Sequence, residues 1–173
     1  GRHFQLHRKL GAHPLTAEGQ EGTYFAVWAP DASSVSVIGD WNDWTDGRHP
    51  LCPVQSSGLW EGFVPGVGQG ARYKYRVCSR FGGHVVDKAD PFAFRAELPP
   101  ATASVVWDLE HEWQDSSWMA GRADHQRLDR PLSVYEVHLG SWRRVPGEGD
   151  RFLTYREIAP LLADHCERMG FTH

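Results

Sequence analysis

The hydrophobic period of this chain changes once, and that change limits the folds open to it. Between Gly22 and Trp107 the apolar residues recur in short period-two runs bounded by Gly, Pro, Asn and Asp. Tyr24 to Trp28 is rich in β-formers and stops at Ala29-Pro30. Val35 and Val37 alternate with Ser34 and Ser36, and Leu59 to Val64 lies between Gly58 and Pro65-Gly66. Arg72-Tyr73-Lys74-Tyr75-Arg76-Val77 alternates most clearly, with three cations on one face and three apolar residues on the other. Gly82-Gly83 then turns the chain toward Val85-Val86, and Ser104 to Trp107 is a last short strand. Successive strand side chains point to opposite faces, so such runs describe half-buried strands. Short strands at this spacing predict a mainly β fold, an immunoglobulin-like β-sandwich.

Past residue 131 the pattern is different. Leu132 to Leu139 reads as a buried strand running into Gly140-Ser141, and Pro146-Gly147-Glu148-Gly149 as a loop. Thr154 with Glu157 is a capping box for a helix whose apolar stripe is Ile158, Leu161, Leu162, Cys166 and Met169. Gly170 suits the residue after the helix, and Pro160 is expected to kink or split it. Phe171-Thr172 begins another extended run. Strand, helix, strand is the unit of a parallel sheet, and one unit cannot bury both its faces. The expected organisation is a sandwich module over 1–107, a linker over 108–131 and the start of a β/α domain over 132–173. The module opens with a helical or irregular lead-in over 1–13. The linker carries a short helix after Asp115-Ser116.

Composition narrows the function. A net charge of −4 supplies no basic field for nucleic acid or anionic lipid. No apolar run reaches the ~18 residues that span a membrane. Cys52, Cys78 and Cys166 lack any Cys-x-x-Cys pairing, which fits free thiols in a reducing, cytoplasmic compartment. The ten His form no metal-ligand spacing, and no metal or cofactor is expected. Gly66, Gly68 and Gly70 lie between strands rather than before a helix, so they make no phosphate loop. Eight Trp in 173 residues is the anomaly. Several sit beside Asn, Asp and Gly, where turns leave a ring exposed to stack on a sugar.

Gly39-Asp40-Trp41-Asn42-Asp43-Trp44 is the leading candidate site. Trp41 and Trp44 are expected to supply at least one stacking ring for glucose, Trp44 ahead of Trp41, with Asn42 or a nearby amide fixing the hydroxyls. The alternative is that one Trp plugs the end of the sandwich. Lys74 is either a donor to sugar hydroxyls, flanked by Arg72 and Arg76, or part of an ordinary solvated strand face. Glu136 and His138 are expected to be buried and hydrogen-bonded inside their strand, and neither is assigned a catalytic role.

These runs, in order, resemble the glycogen (1,4-α-glucan) branching enzymes. The resemblance is carried by Leu10-Gly11-Ala12-His13, Phe25-Ala26-Val27-Trp28-Ala29-Pro30 and Val37-Ile38-Gly39-Asp40-Trp41-Asn42-Asp43-Trp44. It continues through Tyr73-Lys74-Tyr75, Ala89-Asp90-Pro91, Thr102 to Trp107, Tyr135 to Trp142, and Met169-Gly170-Phe171-Thr172-His173. The sandwich motifs are shared with isoamylases, pullulanases, trehalohydrolases and glycogen-binding kinase subunits. Glu136-Val137-His138-Leu139-Gly140-Ser141-Trp142 points to branching enzymes.

The resemblance implies a glycogen-binding module followed by the first β/α unit of an α-amylase-type (β/α)8 barrel, truncated here. It implies an α-glucan partner (glycogen or amylose) and packing of this segment against the rest of the barrel. It also implies retaining transglycosylation, in which an α-1,4 bond is cleaved and the chain passes to a 6-hydroxyl. The family's three catalytic carboxylates belong to later strands, so no catalytic residue is expected within 1–173. Trp44 and Lys74 match the family's glucan contacts. A further stacking Trp is expected in the next hairpin, but here Ser79-Arg80-Phe81-Gly82-Gly83-His84 contains none. Competing readings are a stand-alone glycogen-targeting module and another enzyme of the superfamily, such as a debranching enzyme or trehalohydrolase.

Overall fold

The computed structural model describes residues 4–173, which divide into a unit ending at His111 and a second over Glu112–His173. In the first unit, β1 (Gly11–Ala17) and β2 (Gln20–Trp28) form a hairpin. Its two-residue loop, Glu18-Gly19, has φ of 50° and 80°. That mirror-image turn matches the twist of paired strands. The remaining strands are β3 (Ala32–Gly39), β4 (Cys52–Pro53), β5 (Leu59–Pro65), β6 (Arg72–Ser79), β7 (Val85–Lys88), β8 (Arg95–Ala96) and β9 (Ser104–Val105). One antiparallel sheet has the order β1-β2-β5-β4, and the other β3-β6-β9-β8. The far edge of β6 is shared, with β7 along Tyr75–Cys78 and β9 along Arg72–Tyr73.

The two sheets close face to face as an immunoglobulin-like sandwich. Phe25, Val27 and Val64 of one sheet meet Val35, Val37, Tyr73 and Tyr75 of the other in one buried cluster. The expectation for 1–13 needs correction. Residues 1–3 of that stretch lie outside the described residues; among the rest, Leu6–Arg8 form a helical turn of 3-10 type and Gly11–Ala17 is a strand. Its Gly11 and Pro14 disguise the alternation. Pro14 is tolerated because β1 is an edge strand, where a missing N–H breaks no ladder.

Tyr73 and Tyr75 are fully buried, and their hydroxyls require partners. Both donate to one oxygen of Asp90, at 2.6 and 3.1 Å. The other Asp90 oxygen accepts the Phe92 N–H, and the Asp90 N–H donates to Ser104 Oγ, each at 2.8 Å. Burial pushes the Asp90 carboxyl above its ordinary value, and the tyrosine and backbone donors offset this only in part.

The second unit contains α1 (Ser116–His125), α2 (Leu139–Trp142), the short strands β10 (Arg144–Val145) and β11 (Arg151–Phe152), and α3 (Tyr155–Met169). The α3 start is built as expected. Glu157 N–H donates to Thr154 Oγ1, Thr154 N–H donates back to Glu157, and Gly170 closes the helix at φ 77°. Pro160 does not split the helix, which runs unbroken through it. The proline lacks the one N–H that would reach the Arg156 carbonyl, and the flanking turns survive that loss.

Residues 132–138 are extended but are not a buried strand, since Leu132 and Val134 are 68% and 63% exposed. Tyr135 N–H donates to the His173 carbonyl at 2.7 Å, and His173 N–H donates to the Ser133 carbonyl at 2.9 Å. That exchange is the pattern of neighbouring parallel strands. The apolar residues are exposed because this single pairing brings no layer to cover them. Among the described residues no helix is long and apolar enough to cross a membrane.

Asp90→Ala should destabilise the sandwich by about 3 kcal/mol, because it leaves buried donors unpaired. Denaturant melts of the two proteins check this. A carboxyl raised on folding stabilises fully below its unfolded value of 3.8, and that contribution is lost as pH rises through the folded value. The stability difference between wild type and Asp90→Asn should therefore move in favour of wild type as pH falls from about 7 to about 4. Melts across that range measure it.

Candidate functional site

The site is built where β3 ends. Gly39 leads into a 3-10 turn over Asp40–Asn42. Asn42 is 1% exposed, and its carboxamide ties the turn together. Its oxygen accepts the Gly39 N–H at 2.9 Å, and its nitrogen donates to the Val37 carbonyl at 3.1 Å and to His49 Nδ1 at 2.8 Å. The sugar-hydroxyl role expected for Asn42 is therefore corrected: its amide is buried and its hydrogen bonds are taken by the protein. Accepting the Asn42 proton requires an unprotonated His49 Nδ1. Burial, with Arg48 nearby, also holds His49 below the usual 6.5 of an imidazole.

Trp41 turns inward. Its ring stacks on core Phe25 with centroids 6.0 Å apart and planes 24° from parallel, and it meets His49 edge-on at 6.3 Å. Its indole nitrogen is buried without a hydrogen-bond partner. Of the two open alternatives, the plug of the sandwich end describes Trp41. Gly39 makes this packing possible: a Cβ there would fall 2.6 Å from Trp41 Cη2 and 2.5 Å from the Arg72 carbonyl.

Trp44 is held by a different backbone. Asp43 and Trp44 both adopt φ 56°, a left-handed backbone that costs a non-glycine residue about 1 kcal/mol or more. Trp44 N–H donates to the Gly39 carbonyl at 2.9 Å, which fixes the turn, and the Trp44 side chain stays half-buried. Consecutive strained residues in one turn are the kind of geometry found at binding sites.

Register brings Lys74 to this end of the sheet. Gly39 pairs with Tyr73 and Ile38 with Lys74, so Lys74 lies within two positions of the residue that anchors Trp44. The three cations of β6 differ in their partners. Arg72 is paired with Asp40 at 3.2 Å and Glu97 at 3.3 Å, and Arg76 with Asp87 at 2.7 Å. Lys74 instead donates to the Thr102 hydroxyl at 2.8 Å. An ammonium held by a neutral hydroxyl keeps further donors for other oxygens. Thr102 was not singled out from the sequence. It lies in the loop between β8 and β9, and no local pattern signals that contact.

The structure also corrects the readings for Glu136 and His138. Both are exposed, and His138 Nδ1 pairs with Ser141 Oγ at 2.8 Å where α2 begins. Among the described residues no group of His, Cys, Asp or Glu is arranged to hold a metal ion.

Comparison with known proteins adds to this geometry. Residues 9–93 match the family model described as carbohydrate-binding module 48 (isoamylase N-terminal domain). The whole chain is 55% identical to the 1,4-alpha-glucan branching enzyme GlgB of Myxococcus xanthus and covers 24% of that protein. It is likewise 55% identical to the enzyme of the same name from Albidiferax ferrireducens, covering 27% of it. The chain thus spans about a quarter of the length of these curated relatives. Among solved structures, Klebsiella pneumoniae pullulanase complexed with maltotriose aligns over 60% of this chain and 10% of its own, with 25% identity and a TM-score of 0.48.

Gly39→Ala should displace Trp41 and cost roughly 1–3 kcal/mol in thermal or denaturant melts. Histidine NMR titration should place His49 below 6.5. A base lowered on folding stabilises above its unfolded value and loses that contribution as pH falls through the folded one. Acidification below about pH 6.5 should therefore loosen the Trp41–Trp44 turn before the rest of the sandwich. Amide exchange, read turn against core strands, tests this.

Proposed function

We propose that this chain, whose residues 9–93 belong to the carbohydrate-binding module 48 family, is the glucan-binding sandwich and adjoining β/α segment of a 1,4-α-glucan branching enzyme. The observation that carries the reading is identity of 55% across the whole chain, including the segment beyond the sandwich. A stand-alone targeting module would have no use for that second segment. The enzyme cleaves an α-1,4 bond, holds the chain on a carboxylate and transfers it to a glucose 6-hydroxyl in glycogen. Its catalytic carboxylates lie outside residues 1–173, and this chain alone is inactive. The exposed apolar residues around Leu132 and Val134 pack against the remainder of the barrel. Three free cysteines suit a cytoplasmic location.

The partner of the sandwich is an α-glucan. The half-buried Trp44 indole presents a flat apolar surface for the C–H face of a glucose ring. Lys74 donates to hydroxyls beside it, its ammonium already oriented by Thr102. Uncharged polyols suit this pairing because the neighbouring arginines are engaged by carboxylates and bring no net positive field. Trp41 contributes from beneath, as the packed ring that keeps the Trp44 turn in place.

Trp44→Ala should weaken co-sedimentation with glycogen roughly three- to tenfold, the scale of one aromatic stacking contact. Lys74→Ala should weaken it less. Unchanged sedimentation in Trp44→Ala would remove the assigned platform. The pure chain should produce no new α-1,6 linkages on amylose, followed by iodine colour and by debranching. Branch formation by the chain alone would refute the placement of the catalytic groups.

A further inference from the structure

A second aromatic platform lies at the opposite end of the sandwich. The strand β2 directs Phe25 and Val27 into the core, so its last residue, Trp28, points outward and is 60% exposed. Its ring does not float free. The indole N–H donates to the Ser57 carbonyl at 3.3 Å, and the ring lies over the turn that enters β5. Gly58, at φ 79°, allows that approach: a Cβ there would come within 3.0 Å of the indole nitrogen and 2.8 Å of Pro30 Cβ. Next to this turn runs a groove of about 230 Å³ whose lining includes Pro30, Gln55, Ser56, Trp60 and Arg80. Trp60 donates its indole N–H to the Ala29 carbonyl at 3.0 Å, and the Arg80 guanidinium donates to the Pro30 carbonyl. Both walls are thus pinned by backbone hydrogen bonds.

We infer that Trp28 and this groove form a second α-glucan site, separate from Trp44. The inference rests on the proposed glucan-binding role of the module and extends it from one contact to two. A fixed, outward indole offers a stacking face, and Gln55, Ser56 and Arg80, in the groove that adjoins its turn through Gly58 and Pro30, supply donors and acceptors for hydroxyls. No carboxylate lines the groove, and its one cation is partly committed to a carbonyl, so a neutral ligand fits better than an ionic one. The two platforms flank the length of β3. Trp28 precedes its first residue, Ala32, and Trp44 is tied to its last, Gly39. The strand between them, eight residues at about 3.3 Å each, is roughly 25 Å long. That span is too long for neighbouring glucose rings stacked on one surface and suits two different outer chains of a branched particle. Two weak contacts on one multivalent polymer bind with avidity that neither has alone.

The test is an NMR titration of the 173-residue chain with maltoheptaose, following the indole N–H resonances of Trp28 and Trp44. Both should shift, Trp28 should still shift in Trp44→Ala, and Trp44 should still shift in Trp28→Ala. On glycogen, each single variant should lose roughly tenfold in affinity, more than it loses on maltoheptaose, because avidity is lost with either site. If Trp44 shifts and Trp28 does not, the second site is overturned and the proposed function stands. If the Trp28 response vanishes in Trp44→Ala, there is one site and the inference also fails. If Trp28 shifts and Trp44 does not, the second site stands and the Trp44 assignment fails. If neither moves, both fail. Trp28→Phe keeps a stacking ring, so it should retain most of the affinity that Trp28→Ala loses. Equal losses in the two would assign Trp28 to structure rather than to sugar.

Discussion

One buried carboxylate sets the phase of the strand on which the site depends. Asp90 accepts the hydroxyls of Tyr73 and Tyr75, and this permits two tyrosines to occupy the centre of the core. Without that acceptor the Tyr73 hydroxyl would be buried without the carboxylate it donates to, at about 1–3 kcal/mol, and Tyr75 would keep only long contacts of 3.4 Å to the Gly11 and Ala26 carbonyls. With the tyrosines inward, strand alternation directs Arg72, Lys74 and Arg76 outward. The same network reaches the chain beyond β7, through Phe92 N–H and Ser104 Oγ, so it also holds the segment that leads to β9. An uncharged partner would satisfy the tyrosines at lower desolvation cost. The upward pull on the Asp90 carboxyl reflects that cost.

The second constraint is steric. Gly39 lets Trp41 fold back on Phe25, and Asn42 closes the turn by bonding both to β3 and to His49. Two residues at φ 56°, Asp43 and Trp44, then complete the turn. The two tryptophans are separated by this turn: Trp41 packs on the core, and Trp44 stays half-buried. At the other end of β3 the same logic recurs with Trp28 and Gly58, where a glycine again lets an indole lie against a turn.

Much of this was legible because it is local. Alternation in 72–77 named the outward cations and the inward tyrosines. The Thr154–Glu157 box and Gly170 marked both ends of α3. The failures are also local in origin. Gly11 and Pro14 conceal β1, whose strand character comes from pairing with β2 rather than from propensity. Leu132–Leu139 reads as a buried strand because its residues are apolar, but burial needs a covering layer, and here only one parallel exchange with His173 is formed. Asn42 looked like a sugar ligand because an amide beside two tryptophans suits that role. Its three internal hydrogen bonds depend on His49 and on the fold of the turn.

The sequence by itself determined the sandwich, the change to a β/α pattern and the short list that contains Trp41, Trp44 and Lys74. Periodicity, turn residues and motif order are properties of neighbouring positions, and they survive without coordinates. Only the tertiary structure identified Trp41 as the plug, distinguished Lys74 from two ion-paired arginines and brought Thr102 to it. It also set Trp28 and its groove at the far end of β3. Those distinctions rest on burial and on contacts between residues distant along the chain, which come into being only when the two sheets close on each other.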